Sequence, residues 1–238
     1  MEGFKLKMLR KLKDLIFMFR PELFEPAEYW EDPEYKVLYL VTSKCACTTI
    51  KHALYQGSKK MKFEGRDIHR DGKVKGQFRK NSVSSFDKKY DDYFKFTVVR
   101  SPSSRLVSTY FNKFVPYQNG KKSIIGFEFY GYHRSAFWPD MNFEEYLDAI
   151  SSIDTRWMDR HIVPLDYYIN QKAKFSGRVF KMGELGKLFD ALSEIYGCQL
   201  TNPKINSSEK PTSAHVSLAD QFVINDSRFA RDLTEFGL

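Results

Sequence analysis

The chain has little of what builds disulfide scaffolds or metal centres. Its 238 residues include three cysteines, Cys45, Cys47 and Cys198. An odd, sparse set argues against a secreted disulfide framework and is consistent with a reducing compartment. Cys45 and Cys47 form a Cys-x-Cys pair, but no second Cys/His cluster stands at ligand spacing, so no metal is expected. Long apolar runs are missing too. Lysines and arginines interrupt residues 1–20 throughout, and the stretch never reaches the length of a membrane-spanning helix. Leu15 to Phe19 is too short for a signal-peptide core, and no small-residue cleavage site follows it. The sequence has no internal repeat, no low-complexity tract and no nucleic-acid-binding motif.

What is present fits one sizeable domain with a real core. With 21 Phe and 14 Tyr, disorder over most of the length is excluded. The formal charge of +8 suits an anionic partner without choosing among nucleotide, acidic glycan, nucleic acid and membrane surface. Leu6, Leu9, Leu12 and Ile16 approximate a helical stripe with basic flanks, set off by Pro21 and Pro26. Residues 1–28 read as a basic amphipathic helix and linker, and residues 29–238 as the main domain. The helix either docks on that domain or touches anionic lipid as a peripheral contact.

The chain is organised around the stretch from Val37 to Ile50. An apolar strand, expected over Tyr35 to Thr42, ends in a short loop carrying Lys44. Thr48 and Thr49 then open a helix that Gly57 is expected to stop. A strand feeding a loop and a helix N-terminus gathers backbone N–H groups at one point, which is a site for an anion. Before it, the acidic run from Glu28 to Glu34 contains Pro33 and reads as a lead-in loop. After it, Ser58 to Ser85 is the most basic segment, expected as loop with one short strand near Met61 to Glu64.

A second strand spans Tyr93 to Arg100. Ser101-Pro102-Ser103 turns it into a helix whose apolar face holds Leu106, Tyr110 and Phe114, and which Pro116 is expected to end. Tyr117 to Asp140 is a long loop rich in aromatics. Asn142 to Glu145 outlines a capping box. Arg178 to Met182 is a third strand, followed by a helix that Gly197 closes. Two short helices, Ser217 to Ile224 and Ser227 to Phe236, finish the chain. The alternation predicts an α/β fold with a mostly parallel central sheet. Ligands sit beyond the carboxyl ends of such strands, where both Lys44 and Arg100 fall. Ser108 follows two turns down the second helix. Lysine as a point charge, arginine as a fork and hydroxyls as donors all suit oxyanions.

These two segments carry a resemblance. Ser43-Lys44-Cys45-Ala46-Cys47-Thr48-Thr49 resembles the 5′-phosphosulfate loop of the PAPS-dependent carbohydrate sulfotransferases, in particular the chondroitin and dermatan 4-O-enzymes. Phe96 to Phe114, with Arg100, Pro102, Arg105-Leu106-Val107-Ser108-Thr109-Tyr110 and Lys113-Phe114, is similar to their 3′-phosphate segment. Asp159-Arg160-His161, Phe180 to Leu192 and Asn206-Ser207-Ser208 give weaker echoes. Ser43 stands where the family often has proline, and Ser101 where it often has an acidic residue. The resemblance implies a P-loop NTPase-like three-layer fold and transfer of a sulfuryl group from PAPS to a carbohydrate or glycolipid hydroxyl, without a metal. It implies that Lys44, Cys45, Ala46, Cys47, Thr48 and Thr49 line the 5′-phosphosulfate, and that Arg100 and Ser108 hold the 3′-phosphate.

Lys44 at the bridging oxygen would neutralise the leaving group. The loop has no glycine, which separates it from a Walker A nucleotide triphosphatase. The acceptor needs a base. His69 is the first choice, with Glu64 and His161 as alternatives. The basic segment Lys59 to Lys80 and the aromatic loop would receive the acceptor. Arg105 reads as a support for the helix start or for the loop after Thr201, or as a salt-bridge partner. Lacking a signal and a span, and needing PAPS, the chain is expected in the cytoplasm. The rival readings are a non-enzymatic module binding a polyanion and a P-loop-type phosphotransferase.

Overall fold

The computed structural model describes residues 26–81, 83–118, 136–138, 140–200 and 211–238. Among these, five strands form one sheet: β1 (Glu28–Asp32), β2 (Val37–Leu40), β3 (Arg79–Asn81), β4 (Phe94–Val99) and β5 (Arg178–Lys181), in the order β3-β1-β2-β4-β5. β2, β4 and β5 run parallel, with Tyr39 opposite Phe96 and Thr97 opposite Val179. β1 is antiparallel to both its neighbours. The sheet is thus mixed rather than mostly parallel, and β1 is the reason.

The acidic run expected as a lead-in loop is this strand. Tyr29 and Trp30 suit a pleated, packed surface, and Trp30 stacks on Phe78 with ring centroids 4.7 Å apart. Residues 33–36 turn the chain into β2, with Lys36 at φ 54°. The carboxylates that made the run look solvated are partnered inside. Glu28 meets Lys51, Arg79 and Arg160, and Asp32 accepts from the Tyr196 hydroxyl at 3.2 Å.

Val37, Leu38, Tyr39 and Leu40 are all fully buried. Successive strand residues point to opposite faces, so both faces of the sheet are covered. The cover comes from α1 (Cys47–Lys59), α2 (Gly72–Phe78), α3 (Pro102–Lys113), α4 (Val115–Gln118), α5 (Phe143–Ser152), α6 (Leu185–Tyr196), α7 (Ser213–Asn225) and α8 (Ser227–Phe236). α1 packs on α6, while α3 packs on α7 and α8. Two threonines tie the parallel strands where the site lies. Thr42 Oγ1 donates to the Val98 carbonyl at 2.5 Å, and Thr97 Oγ1 donates to the Leu40 carbonyl at 2.9 Å.

Several local signals hold. Ser101 caps α3 by accepting from the Ser104 N–H, with Pro102 at the first position. Both arms of the Asn142–Glu145 capping box form. Gly197 closes α6 at φ 61°. Others are corrected. α1 runs through Gly57 to Lys59, and Lys60 at φ 55° ends it. Gly57 is required by contact: a Cβ there would lie 2.4 Å from the Tyr196 ring. Pro116 does not end α3, which stops at Lys113; it sits at the second position of α4, where a missing N–H is harmless. No strand forms at Met61 to Glu64. The basic segment instead contains α2, capped by Asp71 and anchored by buried Val74 and Phe78, and then β3. α7 begins at Ser213, capped by Thr212.

Residues 1–25, most of the aromatic loop and Asn206-Ser207-Ser208 lie outside the described residues. Among the described residues, no helix is long and apolar enough to cross a membrane.

Candidate functional site

The loop between β2 and α1 is built to present N–H groups. Lys44 and Ala46 both take the left-handed conformation, at φ 64° and 59°. Neither is glycine, so each stores about 1–3 kcal/mol of backbone strain. Ala46 in that conformation followed by helical Cys47 turns successive N–H groups to one side, the geometry of an anion nest. Ala46 is the N-cap of α1 and offers no side-chain acceptor, which leaves the first-turn donors open.

Two arginines occupy the loop's carbonyls. Arg105 Nε donates to the Ser43 carbonyl at 3.3 Å, and Arg100 Nη1 donates to the Lys44 carbonyl at 3.3 Å. The negative ends of these peptide groups are thereby engaged while the N–H ends stay forward. Arg105 is 1 % exposed and also donates to the carbonyls of Val163 and Arg160. Its role is to tie the loop to residues 160–163. It forms no salt bridge with a described residue, and the loop after Thr201 lies outside the described residues. Cys45 is fully buried, its Sγ 3.5 Å from the Ser43 carbonyl; burial raises the thiol, so it packs rather than reacts.

Positive charge accumulates here. Arg100, at the end of β4, reaches the Lys44 loop from the neighbouring strand, so the two sequence motifs do meet. Lys44 is lowered to about 8, first by burial and then by the charges of Lys113 and Arg100. Burial also draws Arg100 below its ordinary value. Among the described residues, neither Lys44 nor Arg100 has a carboxylate partner. An anion placed between them would relieve both.

A buried polar chain supports the loop from the side. His69 Nε2 lies 2.9 Å from Thr48 Oγ1, and His69 Nδ1 lies 3.2 Å from Lys51 Nζ. Thr48 and Lys51 are three apart on α1 and share a face. Lys51 Nζ donates to Glu28 Oε1 at 2.6 Å, and Arg160 Nη1 donates to Glu28 Oε2 at 2.6 Å. Burial would raise the Glu28 carboxyl, but Lys51, Arg160 and Arg79 together lower it to about 2. His69 is lowered to about 4 by burial and by the Lys51 charge.

The other predicted residues are spread around this centre. Thr49 is buried in the first turn of α1, and Cys47 and Ser108 are half-buried. Glu64 is exposed on the loop before His69. His161 Nδ1 is 2.5 Å from Oδ1 of the fully buried Asp159, and the Thr109 hydroxyl donates to the His161 carbonyl at 3.0 Å. Sequence reasoning missed Glu28 and Lys51. The signal for Lys51 was its place one turn after Thr48; Glu28 carried none, because its three cationic partners are distant in sequence. Among the described residues, no cluster of His, Cys, Asp and Glu is placed to hold a metal.

No curated protein and no solved structure matches this chain. A family model does. The match spans residues 27–221, from the start of the sheet into α7, and includes the loop between β2 and α1, Arg100 and the segment at Arg160. The chain belongs to the sulfotransferase family.

Proposed function

We propose that the protein transfers a sulfuryl group from PAPS to a hydroxyl of a carbohydrate or glycolipid acceptor. The observation that carries this reading is the uncompensated pair of cations at two adjacent strand ends. Lys44 and Arg100 come from separate motifs, suit two separate anionic groups, and face no carboxylate among the described residues. PAPS supplies an activated sulfuryl group and carries phosphate at both ends of its ribose.

The open donors of Cys47, Thr48 and Thr49 and the Thr48 and Thr49 hydroxyls hold the 5′-phosphosulfate in this reading. Arg100 and Ser108 hold the 3′-phosphate. Lys44 neutralises the charge that develops on the bridging oxygen as its bond to sulfur breaks. The acceptor oxygen forms the new bond to sulfur, and its proton passes to a base. His161 is the candidate for that base in this reading, supported by its Nδ1 lying 2.5 Å from the buried Asp159 carboxylate, a pairing that favours the Nδ1–H tautomer. Lys62, Arg66, Arg70 and Lys73 are exposed around the loop that carries His69, and suit an acceptor bearing negative charge.

Calorimetric titration with 3′-phosphoadenosine 5′-phosphate (PAP), the product of transfer, tests the donor assignment. Wild type binds, and Arg100→Ala weakens binding at least tenfold. Absent wild-type binding, or equal binding by Arg100→Ala, overturns it. Labelled PAPS offered with a panel of glycans and small hydroxylated acceptors then tests transfer. Steeply salt-dependent binding of polyanions that does not need Lys44, with no transfer, would favour the rival binding module.

A further inference from the structure

His69 was the natural choice for the acceptor's base, but its surroundings assign it another task. Glu28 is ionised and 2.6 Å from Lys51 Nζ, so Lys51 stands there as an ammonium. An ammonium has three donors and no acceptor. The nitrogen that faces it, Nδ1 of His69, must therefore accept. A neutral imidazole that accepts at Nδ1 carries its proton on Nε2. Nε2–H then points at Thr48 Oγ1, 2.9 Å away, and the hydroxyl is the acceptor of that bond. Its own proton is left to donate elsewhere. Among the described residues the Thr48 hydroxyl has no other partner, and Thr48 stands at the second position of α1, beside the open N–H groups.

We infer that His69 is a positioning residue: Lys51 fixes its tautomer, Nε2–H fixes the Thr48 hydroxyl, and that hydroxyl's proton is turned toward an anion in the loop. That the anion is the 5′-phosphosulfate rests on the function proposed above; the tautomer does not. Acting as a base through Nε2 would require the proton on Nδ1, directed at an ammonium. Burial is the main reason the imidazole stays neutral, and the charged groups facing it act in both directions. Lys51 from α1 and Arg160 from the segment after α5 oppose a second proton, while Asp67 from its own loop and Glu28 from β1 favour one. The backbone of His69 is fixed as well, its N–H donating to Asp67 Oδ1 at 2.9 Å.

Two measurements on the full chain test this. Long-range proton–nitrogen correlation spectra at pH 7 identify the protonated ring nitrogen, and the His69 signals are assigned by their loss in His69→Gln. A proton on Nε2 is expected; a proton on Nδ1 overturns the inference whether or not the protein binds PAP. The second measurement is PAP affinity with PAPS turnover. His69→Ala and Thr48→Val should each weaken PAP roughly tenfold, the scale of one hydrogen bond. The double variant should be no weaker than either single one, because both remove the same bond. His69→Gln keeps an N–H donor near the Nε2 position but cannot take a proton at pH 7, and should recover both affinity and turnover to within a few-fold. If His69→Gln and His69→Ala lose turnover alike while PAP affinity is unchanged, His69 is the base and the inference fails. If wild type does not bind PAP, the donor assignment falls and the spectra alone decide the tautomer.

Discussion

Lys44 is charged where its fold disfavours charge, and replacing it should separate stability from binding. In the unfolded chain the amine holds its proton up to an ordinary 10.5, whereas in the fold it releases it near 8. Between those values the unfolded state binds more protons, so stability rises with pH there. Below both values the shift leaves about 3 kcal/mol of unfavourable free energy in the folded state. Lys44→Met keeps the apolar stem and removes the charge. Both residues endure φ 64° alike, so backbone strain does not change. At pH 7 the variant should be more stable by about 3 kcal/mol, which for a chain of this length raises Tm by roughly 6–12 °C. Above pH 10.5 the amine is neutral in both states and the gap should close. On the proposed assignment the same variant binds PAP at least tenfold more weakly, since a charge-assisted contact of about 1.5–3 kcal/mol is lost. Scanning calorimetry of the two proteins across this pH range is the assay. An equal or lower Tm for Lys44→Met at pH 7, or a gap that persists at high pH, refutes the reasoning.

Arg105→Met should destabilise the protein by about 3 kcal/mol in urea titration, because two buried carbonyls and one part-buried carbonyl lose their donor; a loss below about 1 kcal/mol would show that the loop finds other partners. Glu28→Gln leaves Lys51, Arg79 and Arg160 without their anion and should cost about 3–5 kcal/mol at pH 7. The wild-type advantage is present above the ordinary 4.5 and is lost as pH falls toward about 2, so acid titrations of the two proteins should converge there. Gly57→Ala gains helix propensity of about 1 kcal/mol but drives a methyl into the Tyr196 ring. A net loss of about 1–3 kcal/mol in chemical denaturation is expected, and a stabilised variant would mean the ring moves freely.

The parts of the fold written in neighbouring residues were legible. Ser101-Pro102 announced α3, Asn142 and Glu145 announced α5, and the apolar runs at Val37 and Phe94 announced β2 and β4. β1 was not, because its carboxylates look solvated until Lys51, Arg79 and Arg160 arrive from three distant places. Tyr29 and Trp30 ahead of a turn at Pro33 were a strand signal that acidity outweighed. The basic segment misled in the same way: Val74 and Phe78 are few anchors by composition but enough for a two-turn helix with a good cap. At the site, residue types and strand-end placement were readable from the chain. The direction of each hydrogen bond was not. His69 as a residue near the loop followed from sequence, whereas its tautomer depends on a lysine that an acid on another strand keeps charged.

The paired threonine bonds between β2 and β4 have a consequence for which donor fits. They lock two adjacent strand ends at one spacing, and each strand end carries one cation. If the site holds its donor as proposed, it works as a gauge: it compares the span between two anionic groups with a length the sheet holds constant. A ligand of the same charge but a different span cannot be accommodated by sliding the strands. On the proposed assignment, adenosine 2′,5′-bisphosphate should compete far more weakly than its 3′,5′ isomer. Thr42→Val with Thr97→Val should narrow that preference more than it lowers affinity, and equal competition in wild type would show that the strand ends adjust.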